Sequence, residues 1–204
     1  MVAIHQKNLL EPDFPFHLGF SDNLEFPPHW HEEIEIVYMV EGNMQVGHNN
    51  ETYLLGPRDI LLIGRGNVHH FISPVEYNQS VIIQFGLSLF GSFSSIIRDV
   101  QFVRPLLEYP KKSNTNIDCE AHGAIEEQIL AMIQEHKEKK EGYQMALKAR
   151  LLDLAVIMLR QVPMQSFSSR ERNRQISRLK RLDRVFAYID SIMIKNSPLK
   201  KWQT

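Results

Sequence analysis

The sequence predicts a mainly β domain, an antiparallel sandwich or barrel, followed by an α-helical hairpin. Three observations support this prediction. Between Glu25 and Phe85 the apolar residues occur in short runs, clusters of turn-forming residues separate these runs, and no helical periodicity intervenes. After Phe85 the apolar residues recur at helical spacing instead. A parallel doubly wound sheet is excluded, because that fold needs a crossover helix between successive strands.

Five apolar runs are the predicted strands, and they lie at residues 34–40, 44–46, 53–55, 60–63 and 81–85. The intervening segments are rich in glycine, asparagine, proline and aspartate, which favour tight turns; they lie at residues 41–43, 47–50, 56–59 and 64–67. Several short strands at this spacing are typical of antiparallel sandwiches and barrels.

Two apolar stripes at helical spacing follow a polar stretch at residues 109–116. The first stripe consists of Ala121, Ile125, Ile129, Met132 and Ile133, and the second of Leu147, Leu151, Leu154, Ala155, Met158 and Val162. They predict a helical hairpin that covers one sheet, and a share in a dimer interface is the alternative. A third stripe, after a linker at 163–169, consists of Leu179, Leu182, Phe186, Ile189 and Met193.

The length of 204 residues allows one domain with a helical appendage, or two small domains. The formal net charge of −1 provides no overall field that would attract nucleic acid or an anionic membrane. The charge is unevenly distributed, however, because residues 170–204 contain 10 Lys+Arg against 3 Asp+Glu. The sequence therefore predicts an acidic body with a basic tail.

Cys119 is the single cysteine, so an intrachain disulfide is excluded. The first residues lack the pattern of a secretory signal, and no apolar run is long enough to span a bilayer. We therefore expect a cytoplasmic protein that does not insert into membranes.

The segment around residues 27–35 contains the residues best suited to chemistry. His29, His31 and Glu35 are separated by even numbers on a segment with strand character, which predicts that their side chains share one face. His69 follows the run at 60–63 and is the fourth candidate ligand. Three imidazoles and a carboxylate with open coordination positions suit a divalent transition metal such as zinc, nickel, manganese or iron.

Two further residues, Met39 and Gln84, lie on strands that should line the interior, and they complete the candidate ligand-binding set. The competing interpretation of the four polar residues is a hydrogen-bonded cluster without a ligand. Trp30 and His70 are expected to lie outside the site. The segment 14–17 is either an arm that closes over the site or an edge strand.

The spacing His29-x-His31-x-x-x-Glu35, followed by Gly42 and by a second motif from Gly56 to His69, resembles the cupin jelly-roll barrel. In that family the two motifs contribute ligands at these four positions. The second motif departs from the pattern. Gly64-Arg65 stands where a proline is expected before the motif's glycine, and Arg58 stands where a glycine is expected before Asp59.

Residues 29–42, residues 59–63 and the two predicted helices are similar to the effector-sensing half of AraC-type transcription regulators. The resemblance implies a barrel that binds a small-molecule effector, a sugar being one candidate class, and helices that pair two subunits. It also implies a linker to a domain with two helix-turn-helix motifs, whose first helix residues 182–190 resemble. From Arg172 onward only 33 residues remain, too few for a recognition helix as well.

The resemblance divides the chain into three parts: a cupin-like effector-binding barrel at 1–108, a helical dimerisation or packing segment at 109–163, and a linker with the first helix of an incomplete DNA-binding domain at 164–204. We expect a homodimer or a heterodimer with an intact relative, and contact with DNA only weakly or through the missing domain. The favoured function is sensing, without catalytic residues. The alternative is a metal-dependent cupin enzyme, a dioxygenase or isomerase.

Overall fold

In the computed structural model the described residues are 3–7, 9–72, 77–98, 100–110, 117–166, 168, 170, 171, 173, 174, 177, 180, 181 and 184. The chain divides into two compact units, residues 1–167 and residues 168–204. All five residues of the third predicted stripe lie outside the described residues, as does the whole segment 185–204.

The first unit contains short strands followed by a helical hairpin. The strands are β1 (Ile4–His5), β2 (Phe16–Asp22), β3 (Phe26–Trp30), β4 (Ile34–Glu41), β5 (Met44–His48), β6 (Glu51–Leu55), β7 (Ile60–Ile63), β8 (His69–Ile72), β9 (Gln79–Phe85), β10 (Val100–Phe102), β11 (Leu106–Leu107) and β12 (Met164–Ser166). The helices are a 3-10 helix (Leu87–Phe93), α1 (Ser94–Arg98), α2 (Ile117–Glu138) and α3 (Tyr143–Gln161).

Two five-stranded sheets form the body of this unit. The first sheet has the order β1-β3-β8-β5-β6 and the second has the order β11-β7-β4-β9-β2. The described ladders are antiparallel except for the short pairing of β1 with β3. The prediction of a cupin barrel followed by helices is confirmed.

Residues 34–39 of β4 are buried on both faces of the second sheet, which explains why this run is apolar apart from Glu35. Val37 and Met39 point into an inner core with side chains of the first sheet. Ile36 and Tyr38, on the opposite face of β4, join an outer core between the second sheet and the helices. Every residue of the two predicted helical stripes is buried, so the helical hairpin covers this sheet.

Four strands, β4, β5, β6 and β9, are longer than the apolar runs that predicted them. The predicted turn at 47–50 is shorter, because β5 continues to His48 and only Asn49 and Asn50 form the turn, with Asn49 at φ +56°. The short strands β8 and β10–β12 were not predicted, since runs of two to four residues carry little periodicity. Phe16 and His17 belong to β2, which is the edge strand of the second sheet and pairs with β9. Of the two alternatives for the segment 14–17, the structure therefore shows the edge strand.

Arg58 occupies a backbone conformation that favours glycine, with φ at +70°. The left-handed region costs an ordinary residue about 1 kcal/mol or more. The Arg58 guanidinium offsets this cost with two hydrogen bonds to the buried Glu126 carboxylate of α2, at 2.7 and 2.5 Å. The departure from the cupin pattern at this position therefore ties the β6–β7 turn to α2.

The second unit begins with a helical segment. Ser168 donates its backbone N–H to the Glu171 carboxylate at 3.1 Å, and the Glu171 N–H donates back to Ser168 Oγ at 3.3 Å, which is a capping box. The described helical residues beyond it are exposed, and they include Arg170, Arg174, Lys180, Arg181 and Arg184. In the described part of the chain, no helix combines the length and apolar character needed to cross a bilayer.

Candidate functional site

Three elements and a short connection position the four predicted ligands. His29 lies near the end of β3 and His69 is the first residue of β8, and these two residues face each other in the first sheet. Glu35 lies on β4 in the second sheet, opposite Gln84 of β9. His31 lies in the connection between β3 and β4. The four side chains meet where the chain crosses from one sheet to the other.

The sequence-based reason for this convergence was wrong. Residues 27–35 are not one strand, because β3 ends at Trp30 and β4 begins at Ile34 in the other sheet. Alternation along a single strand therefore does not align the side chains. They converge because the corner at 31–33 brings the inner faces of the two sheets together.

The β7–β8 turn holds this corner in place. Gly66 donates its N–H to the carbonyl of His31 at 2.8 Å, and Arg65 Nε donates to the carbonyl of Glu32 at 2.6 Å. Gly66 has φ +70°, a conformation that glycine adopts without strain. The turn that lacks the expected proline thus positions both His31 and the start of β8.

The four side chains form one buried cluster. One ligand atom from each residue lies within 4.8 Å of the other three, and each of the four side chains is at most 2% exposed. His31 Nε2 lies 3.1 Å from Glu35 Oε2, and His69 Nε2 lies 3.7 Å from Glu35 Oε1. Gln84 Nε2 donates to Glu35 Oε2 at 2.7 Å. The structure therefore brings Gln84 into the cluster.

The backbone fixes the orientation of all three imidazoles. The Nδ1 atoms of His29, His31 and His69 lie 2.8, 3.2 and 3.0 Å from backbone carbonyl oxygens. A carbonyl only accepts hydrogen bonds, so each Nδ1 carries the proton and donates it. The Nε2 atoms of His29 and His69 can then present lone pairs to the cluster, and His31 Nε2 can do so once it gives up the proton that it shares with Glu35 Oε2. A histidine held through Nδ1 by a backbone carbonyl is characteristic of metal ligation.

Two buried atoms of the cluster lack a hydrogen-bond partner in the described part of the chain, namely Glu35 Oε1 and His69 Nε2. A lone pair that faces a carboxylate oxygen is unfavourable unless a proton or a cation lies between them. Two ligands on opposite sides of one ion lie about 4.2 Å apart and two ligands of a tetrahedral zinc about 3.4 Å apart, so the widest pair would close by about 0.6 to 1.4 Å around an ion. The donor set therefore fits a divalent transition metal.

The electrostatics of the cluster depend on burial and on mutual interaction. Burial alone would raise the pKa of Glu35, but the imidazoles of His69 and His31, in the form that carries a proton on Nε2, outweigh it and hold this pKa well below its usual range. Burial, reinforced by the nearby His69, lowers the pKa of His29 to about 4. At neutral pH Glu35 is thus an anion and His29 has a free lone pair, which are the protonation states that a cation requires.

The other predicted residues lie around the cluster. Met39 points into the same interior as Glu35, in the inner core next to Val37, and not among the four ligand atoms. Trp30 is buried and stacks on the ring of His5, with centroids 3.8 Å apart. His70 is half-buried and its ring lies against Gly47.

His48 is the site neighbour that the sequence did not reveal. It pairs directly with His69 across β5 and β8, so both side chains face the interior. Burial lowers the pKa of His48 to about 4. The even spacing of Met44, Val46 and His48 places the three side chains on one face of β5 and could have revealed it. The sequence analysis assigned His48 to a turn and therefore did not use this spacing.

Comparison with known proteins gives one family and several similar solved structures. The model of the AraC-like ligand-binding domain matches residues 16–155. Similar solved structures include a cupin-2 domain protein from Shewanella frigidimarina, with TM-score 0.33, 20% identity, and coverage of 35% of this chain and 72% of that one. The Cnp3 cupin domain of Schizosaccharomyces pombe has TM-score 0.34, 17% identity, and coverage of 38% and 57%.

A conserved protein of unknown function from Streptococcus pyogenes has TM-score 0.33, 16% identity, and coverage of 35% of this chain and 64% of that one. This chain thus spans less than two thirds of the Streptococcus and Schizosaccharomyces proteins. No curated protein sequence matches it.

Proposed function

Because the chain belongs to the family of AraC-like ligand-binding domains, we propose that its barrel binds a small-molecule effector at the cluster of His29, His31, Glu35 and His69. The observation that carries the proposal is the pair of unsatisfied buried atoms, Glu35 Oε1 and His69 Nε2, within that cluster. Convergent polar groups that lack partners are expensive to bury unless something binds them.

We propose further that the same four residues hold a divalent transition metal, since the three Nε2 atoms and the carboxylate form a suitable donor set. A bound ion would supply a Lewis-acidic position for an oxygen or nitrogen atom of the effector. Hydrogen bonds within the chain orient the ligand atoms. Backbone carbonyls accept the Nδ1 protons of the three histidines, and Gln84 donates to one oxygen of Glu35.

A chain of hydrogen bonds connects β4 to α2. Arg58 donates its backbone N–H to the Met39 carbonyl at 2.8 Å, and its guanidinium binds Glu126 of α2. Tyr38 donates its hydroxyl to the same carboxylate at 2.9 Å. We propose that effector binding shifts β4 and that Arg58 and Tyr38 transmit this shift to α2, which supports a regulatory role.

An exposed apolar stripe on α3 supports the proposal of a dimer. The α3 stripe that the sequence suggested for a dimer interface is buried in the core of this unit and is not available to a second subunit. Four apolar residues on the opposite face of α3 are exposed: Met145, Leu152, Val156 and Leu159. Their spacing of seven, four and three residues is that of a coiled-coil seam. The molar mass in solution tests this proposal.

The effector proposal is tested by thermal unfolding of nickel-loaded protein in the presence of small metabolites, sugars included. An effector at a hundredfold excess over its Kd should stabilise the wild type by about 2.7 kcal/mol. It should stabilise His70→Ala equally and His69→Ala not at all, because only the His69 imidazole belongs to the cluster. Equal stabilisation of His69→Ala would contradict the proposal.

A metal-dependent cupin enzyme is the second candidate function. The observation that favours it is the donor set itself, because four protein ligands leave positions open on a six-coordinate ion. The compound that stabilises the protein separates the two functions. A sensor returns the compound unchanged after prolonged incubation, whereas an enzyme converts it to a product that mass spectrometry detects.

A further inference from the structure

A cavity of about 300 Å³ lies at the end of the barrel, separate from the four-residue cluster. Its lining comes from the tip of the β5–β6 hairpin at residues 48–51, from Tyr53 of β6, and from the segment that contains Phe102, Val103 and Pro105. None of these residues belongs to the cluster. The volume is at the lower end of the range for small-molecule sites.

His48 contributes to the lining of the cavity, although its imidazole faces the barrel interior. The side chain is 7% exposed, and its Nε2, which has no hydrogen-bond partner in the described residues, is closed off from solvent. The charged contact with a ligand is therefore left to Glu51. Because His48 pairs with His69 across the sheet, the cavity is next to the cluster without sharing its ligands.

The charge of the lining selects the class of ligand. Among the described residues that line the cavity, Glu51 carries the one full negative charge, and none is a lysine or arginine. The Tyr53 hydroxyl donates to the Glu51 carboxylate, so the aromatic ring and the carboxylate are held together. Glu51 thus attracts cations and repels anions at the mouth of the cavity.

The remaining lining suits an apolar body. Phe102 and Tyr53 are half-buried rings, and a cation beside an aromatic face is further stabilised by the ring quadrupole. Val103 and Pro105 extend this apolar wall. The combination of one carboxylate, two rings and a buried imidazole is unsuited to a phosphate or a carboxylate ligand.

We propose that this cavity binds a small organic ammonium ion with an apolar or aromatic body. Glu51 pairs with the charged group, and Tyr53 and Phe102 contact the body. The site goes beyond the effector site proposed above and does not depend on it, because none of the residues that line the cavity belongs to the four-residue cluster.

The test uses three probes of the same shape and different charge, namely benzylammonium, benzyl alcohol and benzoate. Each is titrated into the isotopically labelled chain of 204 residues while backbone amide resonances are followed by NMR. Benzylammonium should perturb the amides of residues 48–53 and 102–103 saturably and bind about fivefold more tightly than benzyl alcohol, the ratio expected for one exposed ion pair. Benzoate should bind most weakly.

Two variants make the test specific. Glu51→Gln should abolish the preference for benzylammonium over benzyl alcohol, because the amide keeps the shape of the side chain and removes its charge. Leu54→Ala is the matched control, because Leu54 lies on the same strand with an exposed side chain outside the cavity lining, and it should change nothing. Absence of saturable shifts, shifts that map elsewhere, or a charge preference that survives in Glu51→Gln would overturn the proposal.

Discussion

Replacing Ile129 by alanine should lower the free energy of unfolding by about 2–5 kcal/mol, because a large side chain would be removed from a fully packed position. Ile129 lies on α2, is 0% exposed, and belongs to the core that α2 and α3 form with the second sheet. The cost combines the lost burial of the side chain with the cavity that remains. The change thus measures how strongly the helical hairpin is attached to the barrel.

Leu130 is the matched control, because it follows Ile129 on the same helix and is 49% exposed. Leu130→Ala removes an aliphatic side chain from the surface and should change stability by roughly 0.5 kcal/mol or less. Urea unfolding at constant m value reports both changes. Equal effects of the two substitutions would show that α2 does not pack on the sheet through its predicted stripe.

Acidification from pH 7 to pH 4 should destabilise the metal-free protein by about 3 kcal/mol through His29 alone. Burial and the nearby His69 lower its folded pKa from 6.5 to about 4, so the unfolded chain takes up the proton first. The contribution of neutral His29 to the free energy of unfolding is therefore fully present above pH 6.5 and is lost as the pH falls toward 4. Burial lowers the pKa of His48 to about 4 as well. Protonation of His48 therefore causes a further loss of stability over the same pH range.

Glu35 extends the loss of stability to lower pH. Its folded pKa is depressed, so its stabilising contribution is present above its ordinary pKa of 4.5 and declines below that value. Urea unfolding across the pH range measures the sum of these contributions. In His29→Gln the loss between pH 6.5 and 4 should shrink by about half, since His48 remains. A stability that stays constant over this range would contradict the described burial of the imidazoles.

Local periodicity was sufficient to predict the architecture. The run at 34–40 is apolar at nearly every position because β4 is covered by the inner core on one face and by helices on the other. The stripes on α2 and α3 identified the buried face of each helix correctly, because helical spacing is a property of a single segment. The three-residue strands, in contrast, are too short to show a period.

The site depends on long-range geometry, which local patterns do not contain. The motif spacing named all four members of the cluster, yet the pairing of His29 with His69 joins strands that lie 40 residues apart in the chain. His48 was missed because its position opposite His69 depends on whether the turn begins at residue 47 or 49. A shift of one residue in that turn would have reversed the face of its side chain.

The most direct test of the central claim is X-ray absorption spectroscopy of the zinc-loaded protein, because it reports the atoms that surround a bound ion. The account predicts one ion per chain, ligated by three imidazole nitrogens and one carboxylate oxygen at about 2.0–2.2 Å, with His69→Ala losing one imidazole. Failure to bind one ion per chain, or a ligation shell with fewer than three imidazoles that His69→Ala leaves unchanged, would contradict it.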